Sequence, residues 1–159
     1  MLSKSKYCLF TQCPKLLWLN VHAPELAPPD PSLVSRLDSG NVIGDMAMGL
    51  FGDFVEVTAY KGDGSLDLTK MINRTDELIC SGENIICEAS FSYRGNYCAV
   101  DILRKEANGY AIYEVKSSTS VKDIYYHDAA FQCYILTMLG YSVVSCNIVH
   151  INNQYIRHG

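Results

Sequence analysis

The chain has 159 residues, of which 48% are apolar and 19% charged, with a mean hydropathy near zero and a formal net charge of −4. This composition excludes intrinsic disorder, collagen and coiled coil, and the length matches one domain able to bury a sizeable core. No apolar run approaches the roughly 20 residues that span a bilayer, and no signal-peptide core follows Lys4 and Lys6, so a cytoplasmic protein without membrane partners is expected.

In chain order, residues 3–20 carry a helical pattern. Ser3 is placed to cap it, Leu9, Cys13, Leu16 and Leu17 follow the period, and Pro14 marks a kink or restart. All five prolines lie in the first 31 residues, and Pro24, Pro28, Pro29 and Pro31 make residues 22–31 an extended connector. Residues 31–51 read as a second helix capped by Ser32, with Leu33, Leu37, Met46, Ala47 and Leu50 as its stripe. Gly40, Gly44 and Gly49 weaken that helix by about 1 kcal/mol each. A short strand over Phe54–Tyr60, a turn at Lys61–Gly64 and a helix from Ser65 or Asp67 to about Cys80 come next. Asn84–Phe91, Tyr97–Lys105 and Tyr110–Ser117, separated by Gly95-Asn96 and Asn108-Gly109, read as a three-strand meander. Residues 123–139 read as a helix with Gly140 just past its end, and Ser142–Ile151 as a fourth strand. The fold class is therefore α/β, with a mixed central sheet (β-β-β-α-β) flanked by helices. Residues 1–52 form an N-terminal helical part and residues 53–159 the α/β core of a single domain.

The seven cysteines are odd in number and irregularly spaced, and no two form a CxxC pair. They read as reduced thiols packed as small hydrophobes, with Cys87 and Cys98 as potential cross-strand neighbours. The net negative charge means that any polyanion must be held by local basic groups.

The chemistry is concentrated in the second and third strands of the meander. Val100-Asp101-Ile102-Leu103 places an acid inside an apolar strand, and Glu114-Val115-Lys116 places an acid and a base on one face of the next. A hairpin loop at Glu106–Gly109 pairs Lys105 with Tyr110, Leu103 with Ile112 and Asp101 with Glu114. Strict alternation puts Ala99, Leu103 and Ile112 on the face of these acids, and Val100, Ile102, Tyr113 and Val115 on the other. Two facing carboxylates beside one ammonium repel each other unless a cation intervenes. Hard ions such as Mg²⁺ take oxygen ligands and often substrate phosphate as well. The alternative is an ordinary cross-strand salt bridge.

Asp101, then Glu114-Val115-Lys116 after a short hairpin, then a helix containing Gln132, resembles the PD-(D/E)XK nuclease superfamily. It is most similar to the RecB-like branch that includes the CRISPR-adaptation exonucleases. Leu2-Ser3-Lys4-Ser5-Lys6-Tyr7, Gln12-Cys13-Pro14-Lys15-Leu16-Leu17-Trp18-Leu19, Glu88-Ala89-Ser90-Phe91 and Asp128-Ala129-Ala130-Phe131-Gln132 resemble a bacterial RecB-like family of unknown function. The resemblance implies a restriction-endonuclease-like core and Mg²⁺- or Mn²⁺-dependent hydrolysis of DNA, single- or double-stranded, with exonuclease activity as one mode. It makes Asp101, Glu114 and the Val115 carbonyl metal ligands, Lys116 the catalytic lysine, and Gln132 a residue reaching back from its helix. Asp128, four residues before Gln132, shares its helix face.

Two departures accompany the resemblance. Asn41, in Gly40-Asn41-Val42-Ile43-Gly44, stands where relatives carry a metal-binding histidine. Cys13 matches the first cysteine of an iron–sulfur cluster, but no cysteine follows the last strand, so no cluster is expected in this chain. The end at Gly159 reads as a truncated or minimal version of a longer protein. Glu88 is either a third acid of the site or a core carboxylate paired with Arg94 or Arg104. His127 reads as a surface histidine, while His150 and His158 receive no role. Lys4, Lys6 and Lys15 of the N-terminal helix, and Lys122 beside the site, are the candidate DNA-backbone contacts. The rival reading is a catalytically silent nuclease-fold module that binds nucleic acid, a protein partner or a second copy.

Overall fold

The computed structural model describes residues 1–26 and 33–157, with residues 33–39 described by their backbone. Pro28, Pro29, Pro31, the Ser32 cap and His158 lie outside the described residues. The elements are β1 (Leu2–Ser3), α1 (Lys4–Gln12), α2 (Pro14–His22), α3 (Leu33–Met48), β2 (Val55–Glu56), α4 (Leu68–Ser81), β3 (Ile85–Tyr93), β4 (Asn96–Glu106), β5 (Gly109–Lys116), α5 (Asp123–Met138) and β6 (Val143–His150). Most arise from the local signals. The Ser3 hydroxyl accepts from the Lys6 N–H, Cys13 breaks the first helix and Pro14 restarts it at the first position of α2. The Asp67 carboxylate caps α4, accepting from the Lys70 N–H, and Gly82 ends that helix in the left-handed conformation.

The chain builds an α/β fold around an open mixed sheet of six strands among the described residues. Its main path runs β2-β3-β4-β5-β6. The β3–β4 and β4–β5 pairs are antiparallel, while β2–β3, β5–β6 and β1–β4 are parallel. The strand expected over Phe54–Tyr60 shortens to two residues, because only Val55 and Glu56 find ladder partners on β3. The N-terminal part is not wholly helical: Leu2 and Ser3 pair with Asn96 and Tyr97 of β4. Since β3 occupies one edge of β4, β5 and β1 share the other. β5 is paired with β4 from Ile102 to Glu106 and β1 at Asn96–Tyr97, which leaves a gap between them.

The two faces of the sheet are packed separately. Ile86, Leu103 and Ile112 join Met71 and Leu78 of α4 and Phe131, Ile135 and Leu136 of α5 in one cluster. Ile85, Cys87 and Ile102 pack with Met48 of α3, Phe51 and Tyr113 in the other. The meander has the expected register, with Lys105 opposite Tyr110 and Leu103 opposite Ile112. Strict alternation does not survive along β4. Val100 packs in the same cluster as Leu103, although the two differ in parity. The slip occurs where Glu88 and Asp101 would face each other, and the β3–β4 ladder skips that pair. Glu88 adopts φ 57°, a left-handed conformation that costs a non-glycine residue about 1–3 kcal/mol.

Several thiol assignments also change. All seven cysteines are free, but only Cys87 and Cys98 are buried, and Cys13, Cys80 and Cys146 are exposed. Cys87 pairs with Ile102 and Cys98 with Phe91, so those two thiols are not cross-strand neighbours. No helix among the described residues is long and apolar enough to cross a membrane.

Gly109 holds the start of β5 against the loop before β6. Its φ is 149°, and a Cβ there would lie 2.2 Å from the Ser142 carbonyl oxygen, which also accepts from the Tyr110 N–H at 2.8 Å. Gly109→Ala is expected to lower stability by about 3 kcal/mol through overpacking and backbone strain. Urea unfolding checks this, and a loss below about 0.5 kcal/mol would contradict the close approach.

Candidate active site

The gap on the edge of β4 is where the ionisable side chains meet. Past Tyr113 the β4–β5 ladder ends, and the Val115 N–H donates to Asp101 Oδ2 at 2.6 Å instead of to a main-chain carbonyl. Asp101 and Glu114 are therefore not a cross-strand pair in the ladder, which corrects the extrapolated register. They nevertheless line one cleft, because a single ammonium reaches both.

That ammonium belongs to Lys4. Its Nζ lies 2.9 and 3.1 Å from the two oxygens of Glu114, 3.5 Å from Asp101 Oδ1 and 3.8 Å from Asp128 Oδ1, and it donates to the Ala99 carbonyl at 3.3 Å. Lys4, a candidate DNA-backbone contact, thus has its ammonium engaged by the acid cluster. Pairing of β1 with β4 carries the first residue of α1 into the acid cluster, and Tyr7 stacks on Phe131 of α5 at 4.9 Å to fix the helix there. A local signal existed: a lysine in the first turn of a helix opposes the macrodipole and so asks for an acid elsewhere.

Glu114 is 1% exposed and Gln132 0% exposed, so each needs its polar atoms satisfied. Gln132 Nε2 donates to Glu114 Oε2 at 2.6 Å and to Asp128 Oδ1 at 3.3 Å, as the shared helix face implies. Lys116 donates to both Glu114 and Asp128, and its ammonium lies 5.2 Å from the centre of the Tyr125 ring. Gln132 Oε1 is buried without a hydrogen-bond partner among the described residues.

The electrostatics separate the four acids. Burial acts to raise the Glu114 carboxyl, but Lys4 and Lys116 overcome it and hold that group down at about 2. Burial raises Asp101 to about 6 against the pull of Lys4, with Glu114 adding to the rise. Burial, with Asp101 nearby, pushes Glu88 up to about 7. Asp128 is also raised, chiefly by burial. Burial opposes the charge on Lys4 and Lys116, yet the surrounding carboxylates hold both ammonium groups above the ordinary lysine value.

Folding raises the Glu88 carboxyl from 4.5 to about 7, so the folded chain holds that proton more tightly than the unfolded chain does. The associated stability is complete below pH 4.5 and is lost as pH rises through 7, a change on the order of 3 kcal/mol. Unfolding in EDTA between pH 5 and 8 is expected to show this fall in the wild type and a smaller one in Glu88→Gln. Equal slopes for the two proteins would contradict it.

The cleft has a volume of about 470 Å³. Asn41, Gly44, Asp45 and Met48 of α3 form one wall, and Glu88, Asp101, Glu114, Val115 and Lys116 line it from the sheet. Asn41 lines the cleft from α3. Asp45 was missed, although its spacing of four from Asn41 on one helix is a usable signal. Glu88 joins the cleft: Arg104 pairs instead with Glu106 and lies over Phe51, and Arg94 lies over Tyr93. Lys6, Lys15 and Lys122 are not among the cleft's lining residues; Lys15 and Lys122 are exposed. Cys13 is exposed at the junction of α1 and α2. His127 is exposed, with its ring 6.5 Å from that of Tyr7.

Among the described residues, no three His, Cys, Asp or Glu side chains converge to enclose a metal ion on their own. Glu114 is turned to its three donors and Asp101 to the Val115 N–H. The donors are nonetheless of the kind a hard cation takes, since carboxylate oxygens of Asp101, Glu114 and Asp128 surround one positive group, the Lys4 ammonium. Comparison of the chain with protein-family models, with curated proteins and with solved structures finds no match.

Proposed function

We propose that this chain is a divalent-metal-dependent nuclease with a restriction-endonuclease-like core of the RecB-like PD-(D/E)XK type, hydrolysing DNA phosphodiester bonds. The observation that carries the reading is the convergence of Asp101, Glu114 and Lys116, from two adjacent strands, on one oxygen-lined cleft. Asp101, Glu114 and the Val115 carbonyl are the groups to hold Mg²⁺ or Mn²⁺. When bound, the ion polarises the phosphate and acidifies a water. Lys116 is the group that would orient an attacking water and offset charge developing on the phosphate. Asp128 and Gln132 hold Lys116 and Glu114 in place from α5. Lys6, Lys15 and Lys122 remain as candidates for positioning the DNA backbone.

The rival reading, a silent module that binds nucleic acid or another protein, is favoured by one observation: both Glu114 oxygens are already engaged by protein donors. An assay on linear and circular DNA, with Mg²⁺ or Mn²⁺ titrated in, separates the two. Cleavage that requires the ion supports the nuclease, and preference for linear DNA identifies an exonuclease. DNA binding without cleavage at any ion concentration favours the silent module.

A further inference from the structure

We infer that the Lys4 ammonium is a built-in occupant of the cation position, so that Lys4 and a divalent ion are alternative partners for Asp101 and Glu114. The inference rests on the metal-dependent reading above and adds the group that an incoming ion displaces. The Nζ atom has five oxygens within 4 Å: two from Glu114 and one each from Asp101, Asp128 and the Ala99 carbonyl. An ammonium has three protons to share among them, so it spans the cluster as a small cation does. Mg²⁺ binds its oxygens at about 2.1 Å and carries twice the charge. An ion held by both Asp101 and Glu114 would sit in the space between the two carboxylates, which Nζ fills, so the two cations compete for one position.

Lys4 is also attached in a way that permits exchange. It begins α1, directly after the two-residue strand β1, and neither α1 nor α2 contains a buried residue. Withdrawal of its head along the flexible four-carbon stem leaves every sheet ladder intact. The released ammonium stays at the cleft mouth, where it is a point charge suited to a substrate phosphate. The residual acid keeps its partner, since Lys116 bonds to both Glu114 and Asp128.

Two measurements on the full chain test this. The first is calorimetric titration with Mn²⁺ alone, comparing wild type with Lys4→Met, in which tenfold or tighter binding by the variant is expected. The second needs no variant that must fold. Reductive methylation of wild-type amines, read by mass spectrometry, is expected to label Lys4 far more slowly than exposed Lys15 without Mn²⁺, and several-fold faster once Mn²⁺ saturates the protein. Mn²⁺ that binds while Lys4 labelling and Lys4→Met affinity stay unchanged overturns the exchange and leaves the metal reading standing. Absence of Mn²⁺ binding in both proteins overturns the metal reading and the exchange with it.

Discussion

Replacing Glu114 with alanine is expected to lower the stability of this protein by about 3–5 kcal/mol, the range for removing one partner of a buried ion pair. The carboxylate is 1% exposed and accepts from Lys4, Lys116 and Gln132 at once. Its removal leaves the Gln132 amide without its 2.6 Å acceptor and deprives two ammonium groups of a close carboxylate partner. In a chain of this size the melting temperature should fall on the order of 10 °C. Thermal and urea unfolding in EDTA measure it, and a loss below about 1 kcal/mol would show that the cluster is not held together as described. A triple replacement, Glu114→Leu with Lys4→Met and Lys116→Met, is a sharper comparison. Buried ion networks exchanged for apolar groups of similar volume are often neutral or stabilising. Recovery of stability in that variant, with loss of any cleavage, would assign the charges to chemistry rather than to folding.

The second large effect concerns Lys116. Lys116→Met is expected to reduce single-turnover DNA cleavage at saturating Mn²⁺ by about 10²–10³-fold, the scale for losing one group aimed at developing negative charge. The substituted side chain keeps the length of the stem and its packing toward Tyr125, while Asp128 and Glu114 lose one of the donors they share. Far-ultraviolet circular dichroism and Mn²⁺ affinity measured alongside distinguish a chemical defect from unfolding or loss of the ion. A cleavage rate within twofold of wild type would remove Lys116 from the mechanism and with it the proposed assignment of roles.

The elements most accessible from the sequence are those set by short-range rules. The register of β4 on β5 comes from turn position and hairpin pairing, and Lys105 does face Tyr110. The break at Pro14, the Asp67 cap and the helix carrying Asp128 and Gln132 come equally from local chemistry. The errors have the same origin. Alternation extrapolated through Asp101 fails because the left-handed backbone at Glu88 interrupts the β3–β4 ladder and shifts the parity of the residues beyond it. Apolar neighbours in sequence suggest buried cysteines, whereas their exposure depends on which strand edge or helix face is left open.

The sequence by itself determined the α/β class, the strand and helix order around the site, and the identity of the acids and the lysine on β4 and β5, because turn chemistry, capping and periodicity act over a few residues. Tertiary structure alone decided that β1 fills part of the β4 edge that β5 leaves open, that Lys4 enters the acid cluster from a chain segment 110 positions away from Glu114, and that α3 walls the cleft with Asn41 and Asp45. Those outcomes depend on which distant surfaces bury one another and which unpaired main-chain edge a segment finds, and no local pattern encodes that choice.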